Sequence, residues 1–222
     1  MTQPLEPDPY RDRRLFGEDL SIDPYKTAVI VIDMLNDFCV HPGKLADESA
    51  LSLCSAQNMV LASARDTGAV VVFVNEEHRP NLQPVRLFAR KMTHAYTGSW
   101  GAEVVNPLVR SADDITVIKR RYSGFYQTDL DLVLRDRGVS TVVLMGVLTN
   151  ICVRSTAHDA FFLGYDVVIP EDCVGAMTDL EQTVTLYDIS THFGWVSNSE
   201  AVVGALGSGD KIFNAKLLPG GK

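Results

Sequence analysis

Three residues far apart in the chain have the types that nucleophilic acyl transfer needs: Asp33, Lys119 and Cys152. Cys152 closes the stretch 146–152 (GVLTNIC) and falls in the first turn of an expected helix. A thiolate, not a thiol, is the nucleophile, and both a helix N-terminus and a nearby ammonium favour the anion. Lys119 is the candidate cation. Asp33 ends an apolar run, where a carboxylate is costly without a partner or a task. Side by side, the three make a coherent set. The carboxylate accepts the thiol proton and later returns it to a leaving amine, while the ammonium holds the carboxylate and stabilises the thiolate. Backbone N–H groups at the helix start can bind an oxyanion. Taken singly, each residue also has a plainer reading: an inert buried cysteine, an aspartate capping the loop 34–37, and a solvated strand end beside Arg120 and Arg121. Cys39, Cys54 and Cys173 lack the setting of Cys152 and read as packed thiols.

For the three to meet, the elements carrying them must converge. Apolar, β-branched runs at 27–33, 69–75, 114–119, 141–146 and 165–170 read as strands buried on both faces, as in a parallel sheet, with a weaker sixth at 194–197. Helical stretches at 49–67, 129–137, 150–163 and 179–192 lie between or after them, the first three stopped by Gly68, Gly138 and Gly164. On the first helix Leu53, Ala56, Val60 and Ala64 recur at helical spacing. On the last, Leu180, Val184, Tyr187 and Phe193 are expected on one face. This alternation predicts an α/β doubly wound fold. Ligands in such sheets bind beyond the carboxyl ends of the strands. The first strand ends in Asp33, the third in Lys119, and the fourth runs into the loop that carries Cys152. A nucleotide-binding protein would need a glycine fingerprint after the first strand, and 33–37 (DMLND) has no glycine.

Composition sets the outer bounds. With 222 residues, 46% of them hydrophobic, the chain can bury one sizeable core. Its net charge of -8 argues against nucleic acid as a partner. No stretch approaches the ~20 apolar residues that span a bilayer, and the polar N-terminus lacks the apolar segment of a secretory signal, so no membrane partner is expected. Four cysteines without a C-x-x-C pair read as reduced thiols in a cytoplasmic protein. Residues 1–26 read as an arm, either packed on a neighbouring subunit or mobile, 27–215 as the folded domain, and 216–222 as a frayed tail.

The stretches 31–38 (VIDMLNDF), 119–125 (KRRYSGF) and 146–153 (GVLTNICV), with 155–164 and Asp172, resemble the isochorismatase-like cysteine hydrolases over about residues 27–200. The resemblance implies a three-layer α/β/α Rossmann-like fold with a six-stranded parallel sheet, usually in a homo-oligomer, a dimer or tetramer. It implies Asp33, Lys119 and Cys152 as a catalytic triad, a cis peptide at Val147-Leu148, and the N–H groups of Leu148 and Cys152 as oxyanion donors. Isochorismatases proper cleave a vinyl ether and lack the cysteine, so Cys152 points to amide hydrolysis. Nicotinamidases add a metal on an Asp-x-His and a further His. Residues 75–83 hold no Asp-x-His, and His78 and His94 are too scattered in sequence to propose as ligands, so neither metal nor cofactor is expected.

Segments 159–164 and 191–197 look most like the ureidoacrylate and biuret hydrolase branch. The implied function is a cysteine-dependent amidohydrolase, cleaving a small carbamoyl, ureido or linear amide C–N bond through a thioester and releasing ammonia or an amine. The alternatives are an N-carbamoylsarcosine- or maleamate-type amidase, and a non-catalytic binding protein that kept the fold. Candidate pocket residues are Asn36, Phe38, Tyr122 and Phe125, with His94 and Trp100 in a segment that could form a lid. Arg79 and Arg86 are candidates for a substrate carboxylate, a solvated surface charge being the plainer reading of each.

Overall fold

The computed structural model describes residues 19–82 and 94–214. In chain order the strands are β1 (Asp19–Leu20), β2 (Thr27–Ile32), β3 (Val70–Glu76), β4 (Ile115–Lys119), β5 (Thr141–Val147), β6 (Asp166–Pro170), β7 (Val174–Gly175), β8 (Trp195–Ser197) and β9 (Ile212–Phe213). The α-helices are α1 (Asn36–Cys39), α2 (Cys54–Thr67), α3 (Leu130–Asp136), α4 (Arg154–Phe162), α5 (Asp179–His192) and α6 (Ser199–Ser208). Six strands form one parallel sheet in the order β4-β3-β2-β5-β6-β8, as the apolar runs predict. The short β7 adds to β5 near its carboxyl end. A separate antiparallel pair, β1 with β9, joins the end of the expected arm to the C-terminal part of the chain, and the Lys211 Nζ–Asp19 Oδ2 ion pair at 2.6 Å closes it.

The layers follow from the two-residue period of a strand. Along β2, Val29 and Val31 face one core with α2 and α6, while Ala28, Ile30 and Ile32 face the other with α3, α4 and α5. All six residues of β2 are buried, which is why it reads as an unbroken apolar run. Each fully buried Val or Ile contributes roughly 1.5–3 kcal/mol, so the central strands anchor both layers at once.

Three local readings change. The stretch 49–67 is a 3-10 turn (Glu48–Leu53, capped by the Asp47 carboxylate) followed by α2. On α5, Leu180 and Val184 are 72% and 50% exposed, and the buried row is Thr185, Leu186, Ile189 and Ser190. Ser190 packs inward because its hydroxyl returns to the helix, Oγ donating to the Tyr187 carbonyl at 2.9 Å. The helix α6 is new. Gly204 and Gly207 obscure its pattern, but Asn198 caps its start by accepting from the Ala201 N–H, and Gly209 ends it at φ +72°.

Candidate active site

In parallel register, strand ends share an edge. Ile32 pairs with Gly146 and with Val74, and Glu76 pairs with Lys119. The side chains just past or at these positions therefore crowd one rim of the sheet. Asp33 sits there with φ +54°. Its N–H donates to the Val74 carbonyl at 3.1 Å, and its Oδ1 accepts from the Glu76 N–H at 2.7 Å. The carboxylate is thus held by the backbone of the next strand, with Oδ2 directed at Lys119.

Lys119 is fully buried, and its ammonium meets three groups: Asp33 Oδ2 at 2.7 Å, Glu76 Oε2 at 3.1 Å and Cys152 Sγ at 3.5 Å. The ammonium donates hydrogen bonds to Glu76 Oε2 and Cys152 Sγ and pairs with Asp33 Oδ2 as an ion. Cys152 lies in a wide π turn, Thr149–Val153, which leads into α4. The Leu148 carbonyl accepts from both Ile151 and Val153 N–H, at 3.0 and 3.2 Å, and the Val147-Leu148 peptide is cis. The Cys152 carbonyl accepts from Thr156 Oγ1 at 2.7 Å, anchoring the turn to the helix.

Electrostatics follow from burial and from this crowding. Burial pushes the Asp33 carboxyl up, Lys119 pulls it back down, and Glu76 adds to the rise. Burial also pushes the Cys152 thiol well above its ordinary value; Lys119 opposes that, while Asp33 and Glu76 reinforce it. For Lys119, burial alone would favour the neutral amine, but Asp33, Cys152 and Glu76 hold it charged and above its usual range. For Glu76, burial is overcome by hydrogen bonding with His78 and His94 and by Lys119, which together hold it well below the usual carboxylate range. The Cys152 thiol and the Asp33 carboxyl group thus share one ammonium. Moving the thiol proton to Asp33 leaves the net charge of the buried set unchanged. Burial opposes that exchange far less than it opposes loss of the proton to bulk water.

Glu76 is the participant that the sequence pattern does not single out, because it stands beside Glu77 and His78 in what reads as a polar loop. The signal available was its place at a strand end in register with Lys119. His78 Nε2 and His94 Nε2 lie 2.8 and 3.2 Å from Glu76 Oε1, and the two imidazole rings meet edge to face at 5.1 Å. His78 and His94 are therefore not scattered in space. Glu76, His78 and His94 present donor atoms within 4.8 Å of one another and could hold a divalent cation, as could Asp33, Glu76 and Cys152 by the same spacing. Glu76 is at the same time committed to Lys119 through its other oxygen.

A small pocket of about 90 Å³ opens above Cys152. Phe38 and Tyr122 line it, as does His94, whose ring packs edge to face on Phe38 at 5.3 Å. Asn36 and Phe125 do not line it. Asn36 instead donates from Nδ2 to the Trp100 carbonyl at 2.9 Å, and Phe125 stacks on Tyr165 at 5.8 Å. Trp100 and Arg79 are exposed and off the pocket, and Arg86 lies outside the described residues. Asp37, buried behind Phe38, accepts from the Ala95 N–H at 2.7 Å and the Lys44 N–H at 3.1 Å. It thereby fixes two loops around the pocket, one of them carrying His94.

Comparisons with known proteins place the chain in a family. The Isochorismatase domain family matches residues 27–201. A ureidoacrylate amidohydrolase, RutB, from Caulobacter vibrioides is 34% identical over 223 residues, covering 86% of this chain and 95% of that protein. Among solved structures, a cysteine hydrolase from Pseudomonas syringae pv. phaseolicola superposes with a TM-score of 0.81 at 28% identity, covering 89% of this chain and 99% of the other. An N-carbamoylsarcosine amidase from Thermoplasma acidophilum superposes with a TM-score of 0.69 at 35% identity, covering 79% of this chain and 97% of the other. The chain belongs to the isochorismatase-like cysteine hydrolase family, close to its ureidoacrylate amidohydrolase branch.

Proposed function

We propose that this chain is a cysteine-dependent amidohydrolase acting on a small carbamoyl, ureido or linear amide C–N bond. The observation that carries the reading is the single buried ammonium of Lys119, which touches both the Asp33 carboxylate and the Cys152 sulfur. Asp33 takes the thiol proton as Sγ attacks the substrate carbonyl. The N–H groups of Leu148 and Cys152 hold the resulting oxyanion, a contribution of about 3 kcal/mol per well-placed donor. Asp33 then protonates the leaving nitrogen, and ammonia or an amine departs, leaving a thioester on Cys152. Asp33 next draws a proton from water, which attacks the thioester; the acid or carbamate departs, and the proton passes from Asp33 back to Cys152 Sγ. Glu76 keeps Lys119 in place between the two groups it serves.

The amidohydrolase named for the Caulobacter relative and the amidase named for the Thermoplasma structure both favour C–N chemistry for this chain. A homo-oligomer belongs to the same reading, with the exposed Phe162 at the end of α4 as its candidate contact.

An ammonia-release assay tests the reading across biuret, ureidoacrylate, N-carbamoyl amino acids, nicotinamide and maleamate. At least one should be hydrolysed by the wild type, with the rate lost in Cys152→Ala. Ammonia release that survives Cys152→Ala at the wild-type rate would refute the mechanism.

A further inference from the structure

We propose that a second cavity, lying against the pocket above Cys152, binds the tail of an elongated amide, a tail that ends in a hydrogen-bond donor. The inference rests on the amidohydrolase reading and narrows its substrate class to linear amides longer than the pocket itself. Shape and chemistry each point to it.

The pocket above Cys152 encloses about 90 Å³. That falls well short of the roughly 300–1,000 Å³ of most small-molecule sites. It has room for a reacting carbonyl and little beyond. A larger cavity of about 260 Å³ adjoins it. Phe38, Asp47, Val147 and Leu148 line both, so the two spaces share a wall. A carbonyl bound at the Leu148 N–H therefore lies at the boundary between them. The far side of the second cavity is built by the 3-10 turn Glu48–Leu53, by β7 and by the start of α5.

What that far side offers is acceptors. Gln182, on α5, lines the cavity, and its Nε2 donates to the Val174 carbonyl at 3.1 Å. A carbonyl only accepts, so this bond fixes which end of the amide is nitrogen and leaves Oε1 as an acceptor. Oε1 is buried and has no hydrogen-bond partner among the described residues. A buried acceptor left without a donor is costly, and a donor on a ligand relieves that cost. Two hydroxyls of the same lining have already given their hydrogens away. Ser52 Oγ donates to the Ser49 carbonyl at 2.6 Å, and Thr178 Oγ1 donates to Glu181 Oε2 at 3.0 Å. What each hydroxyl keeps for a ligand is a lone pair. A tail ending in a hydroxyl, an amine or an amide N–H matches this set, and an alkyl tail of the same length does not.

Tailed alkylating reagents probe the cavity without a known substrate. Iodoacetamides carrying an N-hydroxyalkyl tail are paired with N-alkyl partners of equal heavy-atom count, over a range of tail lengths. Their second-order rates at Cys152 on the full-length protein are read by mass spectrometry, which separates Cys152 from Cys39, Cys54 and Cys173, and are divided by their rates with free cysteine. At the best length the hydroxyl probe should be preferred about threefold or more. Gln182→Met, which keeps the length of the side chain and removes the acceptor, should abolish that preference. Ala176→Trp fills the second cavity from a residue that does not line the catalytic pocket. It should slow both tailed probes while iodoacetamide itself reacts as with wild type, and it carries the test alone if Gln182→Met fails to fold. A hydroxyl probe preferred at no length, or a preference that outlasts these variants, overturns the proposal. The ratio is defined however slowly Cys152 reacts. A thiol no faster than free cysteine therefore counts against the amidohydrolase reading, and a flat ratio counts against the second cavity.

Discussion

At the residue scale, the behaviour of the site turns on how one buried ammonium divides its charge between two carboxylates and a sulfur. Glu76 raises the Cys152 thiol and helps to hold Lys119 charged. Glu76→Gln removes that negative charge, so the midpoint of the pH profile for Cys152 alkylation should move down, and a midpoint that stays or rises contradicts the assignment. The same variant has a stability signature. Glu76 in the fold sits well below its ordinary 4.5. A group depressed in this way contributes stability above the unfolded value, and the contribution is lost as pH falls toward the folded value. Wild type should therefore melt above Glu76→Gln at neutral pH, with the gap closing below about pH 4.5. Thermal melts across that range check the sign. Asp33, Lys119 and Cys152 were legible in the sequence because each ends an apolar strand or opens a helix. Glu76 was not, because a glutamate among other polar residues looks solvated until the register sets it beside Lys119.

At the scale of elements, the site depends on how closely β2 and β5 approach at the rim. Gly146 takes φ +116°, and a Cβ there would lie 2.0 Å from the Ile32 carbonyl oxygen, immediately before Asp33. Gly146→Ala must strain the backbone and push the two strand ends apart. We expect a loss of about 3 kcal/mol or more in chemical denaturation. Turnover of the residual folded protein should also fall, because the shift propagates into both Asp33 and the Cys152 turn. A variant as stable and active as wild type would show that this close approach is dispensable. The parallel strands were readable because burial on both faces leaves long β-branched runs. The inward face of α5 was not, since Thr185 and Ser190 take buried positions that the letters Leu180 and Val184 seem to claim. The two-residue strands β1 and β9 carry no period at all, and only their pairing identifies them.

At the scale of the molecule, residues 19–20 and 212–213 meet in the β1–β9 pair, and Asn214 fastens that pair to the fold by accepting from Val196 N–H at 2.9 Å and donating to the Ser190 carbonyl at 2.9 Å. At the end of α4, Phe162 is 71% exposed. If a second copy covers it, light scattering should give a mass that is a multiple of the 24.4 kDa chain. Phe162→Asp should move the mass toward that of one chain, whereas a monomeric wild type would remove the expectation. The central claim concerns chemistry within a single chain, and rapid quenching followed by mass spectrometry of a hydrolysed amide tests it most directly. The account predicts an acyl group bound to Cys152 during turnover, absent when quenched before substrate and absent in Cys152→Ala. Turnover in which Cys152 never carries the acyl group, or in which Cys152→Ala keeps pace with wild type, would contradict it.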